Sequence, residues 1–162
     1  MATWPTIVDD DGSNTTGTIV NNANVWTPIQ SYVGGAWTAV AFNAGNFTAN
    51  GSMTWTVESG DVENNRYLVI GKTLFWSLGI VTSTIGGTPN TELRATIPGG
   101  EVAAATGFYT RCAYAVNNGS VVEARAVVAA ATYVALLRND GANWSTGTNN
   151  NVIQFNIVLH IA

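Results

Sequence analysis

Between Phe47 and Thr84 the chain reads FTANGSMTWTVESGDVENNRYLVIGKTLFWSLGIVTST, three extended runs separated by tight polar punctuation. In SMTWTVE, Met53, Trp55 and Val57 share one face. In NRYLVIG both faces are apolar, with Leu68 and Ile70 opposite Tyr67 and Val69. TLFWSLGIVTST places Leu74, Trp76, Leu78 and Ile80 on one side and Phe75, Ser77, Gly79 and Val81 on the other. Only a β-strand turns a two-residue period into one continuous face, so this stretch commits the chain to sheets.

The same signal continues downstream in TELRATIP (91 to 98), FYTRCAYAVN (108 to 117), GSVVEARAVVA (119 to 129), ATYVALLR (131 to 138) and NVIQFNIVLHIA (151 to 162). The last run is the cleanest, with Ile153, Phe155, Ile157, Leu159 and Ile161 on one face and Gln154, Asn156, Val158 and His160 on the other. The Ala/Val-rich run after Ser120 has helical propensity. Its β-branched residues Val121, Val122, Val127 and Val128, followed by Thr132-Tyr133-Val134, favour a strand. Connectors carry Gly-Gly-Thr-Pro, Pro-Gly-Gly, Asn-Asn-Gly and Asn-Asp-Gly, which supply the backbone angles of tight turns. About eight strands with short loops predict an all-β, jelly-roll-like antiparallel sandwich over residues 45–162.

Residues 1–44 read as a separate N-terminal arm. TWPTIVDDDGSNTTGTIV is a short apolar segment followed by an acidic, Gly/Ser/Thr-rich turn region. NNANVWTPIQSYVGG has helical spacing at Val25, Ile29 and Tyr32, so one short helix fits if Pro28 lies in its first turn. AWTAVAFN then suits a strand, with Trp37, Ala39 and Ala41 opposite Val40 and Phe42.

Charged residues are 10% of the chain, against roughly 25% in an ordinary globular protein. Thr, Asn and Gly take their place, with one Lys, Lys72, and five Arg. Hydrophobic residues still reach 46%, which separates this neutral polar composition from disorder. A net charge of −4 argues against nucleic acid and anionic bilayers as partners. No apolar run is long enough for a membrane span, and MATWPTIVDDD does not read as a signal peptide. Cys112 has no second cysteine to pair with, and its place in FYTRCAYAV suggests a buried thiol. Few charges on strands that are apolar on both faces suggest that some outer faces are covered by other subunits.

Catalytic candidates are weak. His160 is the only histidine, so no zinc set and no Ser-His triad can be assembled around it. Asp9-Asp10-Asp11-Gly12-Ser13-Asn14 misses the calcium-loop spacing, because Gly should come sixth and Glu twelfth. The other carboxylates, Glu58, Asp61, Glu63, Glu92, Glu101, Glu123 and Asp140, fall mostly at strand ends and turns, where ion pairs with Arg account for them. The reading is therefore non-enzymatic, with no catalytic residue, metal or cofactor. Of six Trp, Trp55 and Trp76 sit on apolar strand faces as core, each removing enough area to be worth about 4 to 6 kcal/mol as an upper bound. Trp144, in GANWSTGTNNN, is either a sugar-stacking platform or an anchor tucking its loop onto the sandwich or a neighbouring subunit. Tyr109 and Tyr114 stand on opposite faces of one run, so at least one faces outward or into an interface. Trp144, Tyr109 and Asn143 are the candidate ligand-binding residues.

VDDDGSNTTGTIVNNA, FNAGNFTANGSMTWTVESGD, RYLVIGKTL, GGTPNTELRATIPGG and NDGANWSTGTNN together resemble uncharacterised proteins of tailed bacteriophages and prophages, described as tail, fibre or other virion proteins. The resemblance spans most of the chain but carries no catalytic motif and no transferable site residue. It implies an N-terminal segment that attaches to other virion proteins and a β-rich, often trimeric head displayed on the particle. A virion location would follow from cytoplasmic assembly and release at lysis. The expected function is then a tail- or fibre-type receptor-binding head, with a host surface glycan as the ligand class. Capsid decoration and a free carbohydrate-binding module are the alternatives, and a depolymerase ranks behind them.

Overall fold

The computed structural model describes residues 36–162, and Trp37–Ala162 form one compact unit. The short helix expected before Gly34, the Asp9–Asn14 turn and the arm up to residue 35 lie outside the described residues. Thr38–Ala39, inside the segment read as arm, form β1 and pair with Tyr67 and Arg66.

The chain folds as the all-β antiparallel sandwich that the period-two runs predict. Sheet 1 is ordered β1-β4-β5-β12-β8-β9 and sheet 2 is ordered β2-β6-β11-β10-β7. β4 (Val62–Ile70) and β5 (Thr73–Gly87) form the long hairpin within the opening stretch. β12 (Gly147–His160) lies against the other side of β5, with Phe155 opposite Leu78 and Leu159 opposite Leu74. β3 (Met53–Thr56) pairs with the far end of β5, Trp55 facing Ile85. β8 (Tyr114–Asn117) and β9 (Ser120–Val121) extend the sheet beyond β12. In sheet 2, β6 (Glu92–Thr96) and β11 (Tyr133–Arg138) are central, β2 (Phe47–Ala49) and β7 (Tyr109–Arg111) are the edges, and β10 (Ala124–Ala130) joins β11 to β7.

Among the described residues twelve strands replace the expected eight: β1 and the short β2 add two, and two runs that look continuous are bent and add two more. At Cys112 the backbone N–H donates to the carbonyl of Ala124 in sheet 2, and the next N–H, of Ala113, donates to Gln154 in sheet 1. Successive amides therefore serve different sheets, and FYTRCAYAVN splits into β7 and β8. The neighbouring run turns at the same level: Val122 N–H donates to Ala115, and β10 begins two residues later in sheet 2. Period two survives such a corner, so alternation alone does not reveal it.

The core lies between the sheets. Sheet 1 supplies Trp55, Trp76, Leu78, Ile80, Ile153, Phe155, Ile157 and Leu159, and Trp76 meets Phe155 edge-on at 5.1 Å. Facing them, sheet 2 presents smaller residues, Ala95, Ala124, Ala126, Val128 and Val134, with Leu93 and Leu136. Large side chains on one face against small ones on the other let the layers close to interior packing density. Buried polar atoms are all partnered among the described residues. Trp55 Nε1 donates to Ser83 Oγ at 3.0 Å, Ser83 Oγ donates to the Asn151 carbonyl at 3.0 Å, and Asn151 Nδ2 donates back to the Ser83 carbonyl at 3.1 Å. This chain of bonds ties β3, β5 and β12 together. Gly87 closes the end of β5 at φ +71, and a Cβ there would lie 2.1 Å from the Ser52 carbonyl oxygen.

Candidate functional site

The paired corners leave an opening at the edge of the sandwich. β7 and β8 bring Arg111, Cys112 and Tyr114 to one wall, and the turn from β9 into β10 brings Val121 and Glu123 to the other. Asn139, just past β11, forms the base of this shallow cleft of about 260 Å³. A second depression of about 530 Å³ shares Val121, Val122, Glu123 and Asn139 and continues to Arg138 and Asp140.

Asn139 organises the base. Its N–H donates to the Glu123 carbonyl at 3.0 Å, its Oδ1 accepts from Arg125 Nη1 at 3.2 Å, and its Nδ2 donates to Glu123 Oε2 at 3.5 Å. Arg125 stands directly opposite Arg111 across the β10–β7 ladder. Like charges so placed repel, and neither forms an ion pair among the described residues. Beyond Asn139, Arg138 holds Asp140 through Nε at 3.1 Å and Nη2 at 2.5 Å. That guanidinium, with the Ala142 N–H, keeps the Asp140 carboxyl below its usual range. On the opposite wall burial pushes the Cys112 thiol up to about 12, so it lines the cleft as a small apolar group.

The three residues singled out by sequence separate. Tyr109 is 73% exposed in edge strand β7, opposite Val127. Trp144 is fully buried, with its indole N–H donating to the Leu136 carbonyl at 2.9 Å and its backbone N–H to Asn90 at 2.8 Å. The loop-anchor alternative holds for Trp144, and its ring has no face left for a sugar. Asn143 uses its Nδ2 to bond the Pro89 carbonyl at 3.3 Å, and its own carbonyl accepts from Arg138. It joins two loops rather than lining the cleft. Tyr109 and Tyr114 are both outward, because the crossing at Cys112 moves the second tyrosine to the other sheet; Tyr114 is 44% exposed.

Sequence reading missed Arg111, Val121, Glu123 and Asn139. The usable signal is local: Glu123 interrupts an apolar run where β9 turns into β10, and the charged Arg111 precedes the turning Cys112. His160 is exposed on the outer face of sheet 1, edge-on to Phe108 at 5.8 Å. Among the described residues no group of three or more His, Cys, Asp and Glu side chains is placed to hold a metal ion. Asp61 is spent on structure, accepting from Thr82 Oγ1 at 2.7 Å and from the Glu58 N–H at 2.8 Å. What the cleft offers is recognition chemistry: an aromatic ring at Tyr114, a guanidinium donor at Arg111, and an exposed apolar rim at Val121, which is 68% exposed. No family model, curated protein or solved structure matches the chain.

Proposed function

We propose that this protein is a non-enzymatic, surface-displayed head of a bacteriophage virion that binds a host surface glycan. In this reading copies of the chain assemble with one another, and residues 1–44 attach them to other virion proteins. The observation that supports it best is the corner cleft, where Tyr114, Arg111 and Val121 stand exposed around a polar base, while Trp144 is buried in its loop. Stacking on an aromatic face combined with amide and guanidinium donors is the chemistry that recognises a polyhydroxylated ring. The sequence resemblance to phage and prophage virion proteins adds the context.

The test is binding of the full chain to bacterial cells and to a glycan array, with Tyr114→Ala and Arg111→Ala as variants. Each is expected to weaken binding by roughly tenfold or more, while far-ultraviolet circular dichroism stays unchanged. Absence of binding to cells and glycans by the wild type removes the receptor-binding reading. Co-sedimentation with phage capsids in that case favours decoration of the particle.

A further inference from the structure

The outward face of sheet 1 does not alternate as a solvated sheet face should. Cross-strand register sets Leu68 of β4 opposite Phe75 of β5 and Val158 of β12 opposite the same Phe75, a continuous apolar row. Ile70, Thr73 and His160 form the next row. At the edge, Trp37 lies on the same face with the Arg66 guanidinium 5.3 Å from its ring centre. Trp37 is 47% and Val158 53% exposed, and Ile70 is exposed as well. Past the apolar row the face turns polar, through Arg66, Ser77 and Asn156, then Asn64, Gly79 and Gln154.

We infer that this face binds a second copy of the chain, sheet against sheet. The charges favour that occupant. Lys72, in the turn after Ile70, lies at one end, while Glu63, hydrogen-bonded by Gln154 Nε2 at 3.2 Å, lies at the other. A two-fold axis lying in the plane of the contact, perpendicular to the strands and passing near Phe75, lays the Lys72 end of each copy on the Glu63 end of its partner. An isologous contact of this kind is self-complementary, and opposite charges meet at its rim. Only Arg66 sits within the face as a permanent charge, and it already rests on Trp37, so closing the contact desolvates few ions. β4, β5 and β12, spaced about 4.8 Å apart with about nine residues each on this face, present on the order of 400 Å² of flat surface. Side-chain relief brings that toward the roughly 600 Å² per partner at the small end of specific interfaces.

The proposal rests on the self-association in the function above and gives it a location away from the cleft. Sedimentation velocity of the full chain tests it, with Val158→Lys as the disrupting variant and Thr96→Lys, at an exposed threonine of β6 in sheet 2, as control. A wild-type dimer or larger assembly is expected, with association weakened roughly tenfold or more by Val158→Lys and unchanged by Thr96→Lys, and far-ultraviolet circular dichroism unchanged in both. An assembly that ignores Val158→Lys overturns the proposal, and so does a monomeric wild type. In a monomer, footprinting at Val158 and Ile70 then distinguishes a bare face from one covered by residues 1–35. Cell binding is measured on the same proteins, so a Val158→Lys monomer that still binds, or an intact assembly that does not, shows which of the two readings failed.

Discussion

Trp144 illustrates how far a single residue can be read from its neighbours. Its flanks are small and polar, which suits an exposed stacking ring as well as a buried anchor; the Leu136 carbonyl that accepts its indole N–H decides the matter. That partner is eight residues away in sequence but on the other side of a loop. Trp144→Ala is expected to lower unfolding free energy in urea by about 3–5 kcal/mol, as for other large buried aromatics. Cys112 was more legible, since a lone cysteine within an alternating run points inward. With its thiol pushed up to about 12, the thiolate fraction at pH 8 is on the order of 10⁻⁴, so iodoacetamide should label Cys112 only after unfolding. The linkage follows. The unfolded thiol ionises near about 8.5, so the folded state holds the extra proton between the two values. Cys112 therefore contributes its stabilisation in full below about pH 8.5 and loses it as pH rises toward 12. Cys112→Ala should flatten the alkaline fall in stability measured from pH 8 to 11.

At the scale of elements, the long strands were legible and the short ones were not. β5 and β12 each bury one face along much of their length, and β4 is a long apolar run beside them, so their patterns identify them; β8 and β9 owe their existence to the corners at Cys112 and Val122. The high Asn content reads as surface, yet Asn151 and Asn117 are buried. Asn151 Nδ2 donates to the carbonyls of Ser83 and Gly147, and its Oδ1 accepts from the Asn118 N–H at 2.8 Å. It pins the irregular start of β12 to β5 and to the β8–β9 hairpin. Asn151→Ala strands those buried partners and should cost about 2–4 kcal/mol in denaturant titration. Two turn glycines make a second comparison. Gly71 in the β4–β5 turn has φ +58 and open space around it, whereas Gly87 combines φ +71 with the Ser52 carbonyl in the way. Gly71→Ala should cost about 1 kcal/mol, and Gly87→Ala more than twice that, as read from paired melting curves.

For the whole molecule, sequence conveyed the class of architecture but not the connections between its layers. Which sheet a strand joins depends on partners tens of residues away, and the cleft exists only because two neighbouring runs change sheets at one level. The place of β12 has a consequence for how the protein is made. Its partners on either side, β5 and β8, are complete well before residue 147 has been added, yet they lie one strand apart and cannot bond each other. On the ribosome, then, the nascent β4–β5 hairpin holds Leu74, Trp76, Leu78 and Ile80 without a finished sheet for as long as translation takes to reach β12, at about 5–20 residues per second. Those side chains are the natural clients of a chaperone during that interval, and closure of sheet 1 waits until β12 has been added.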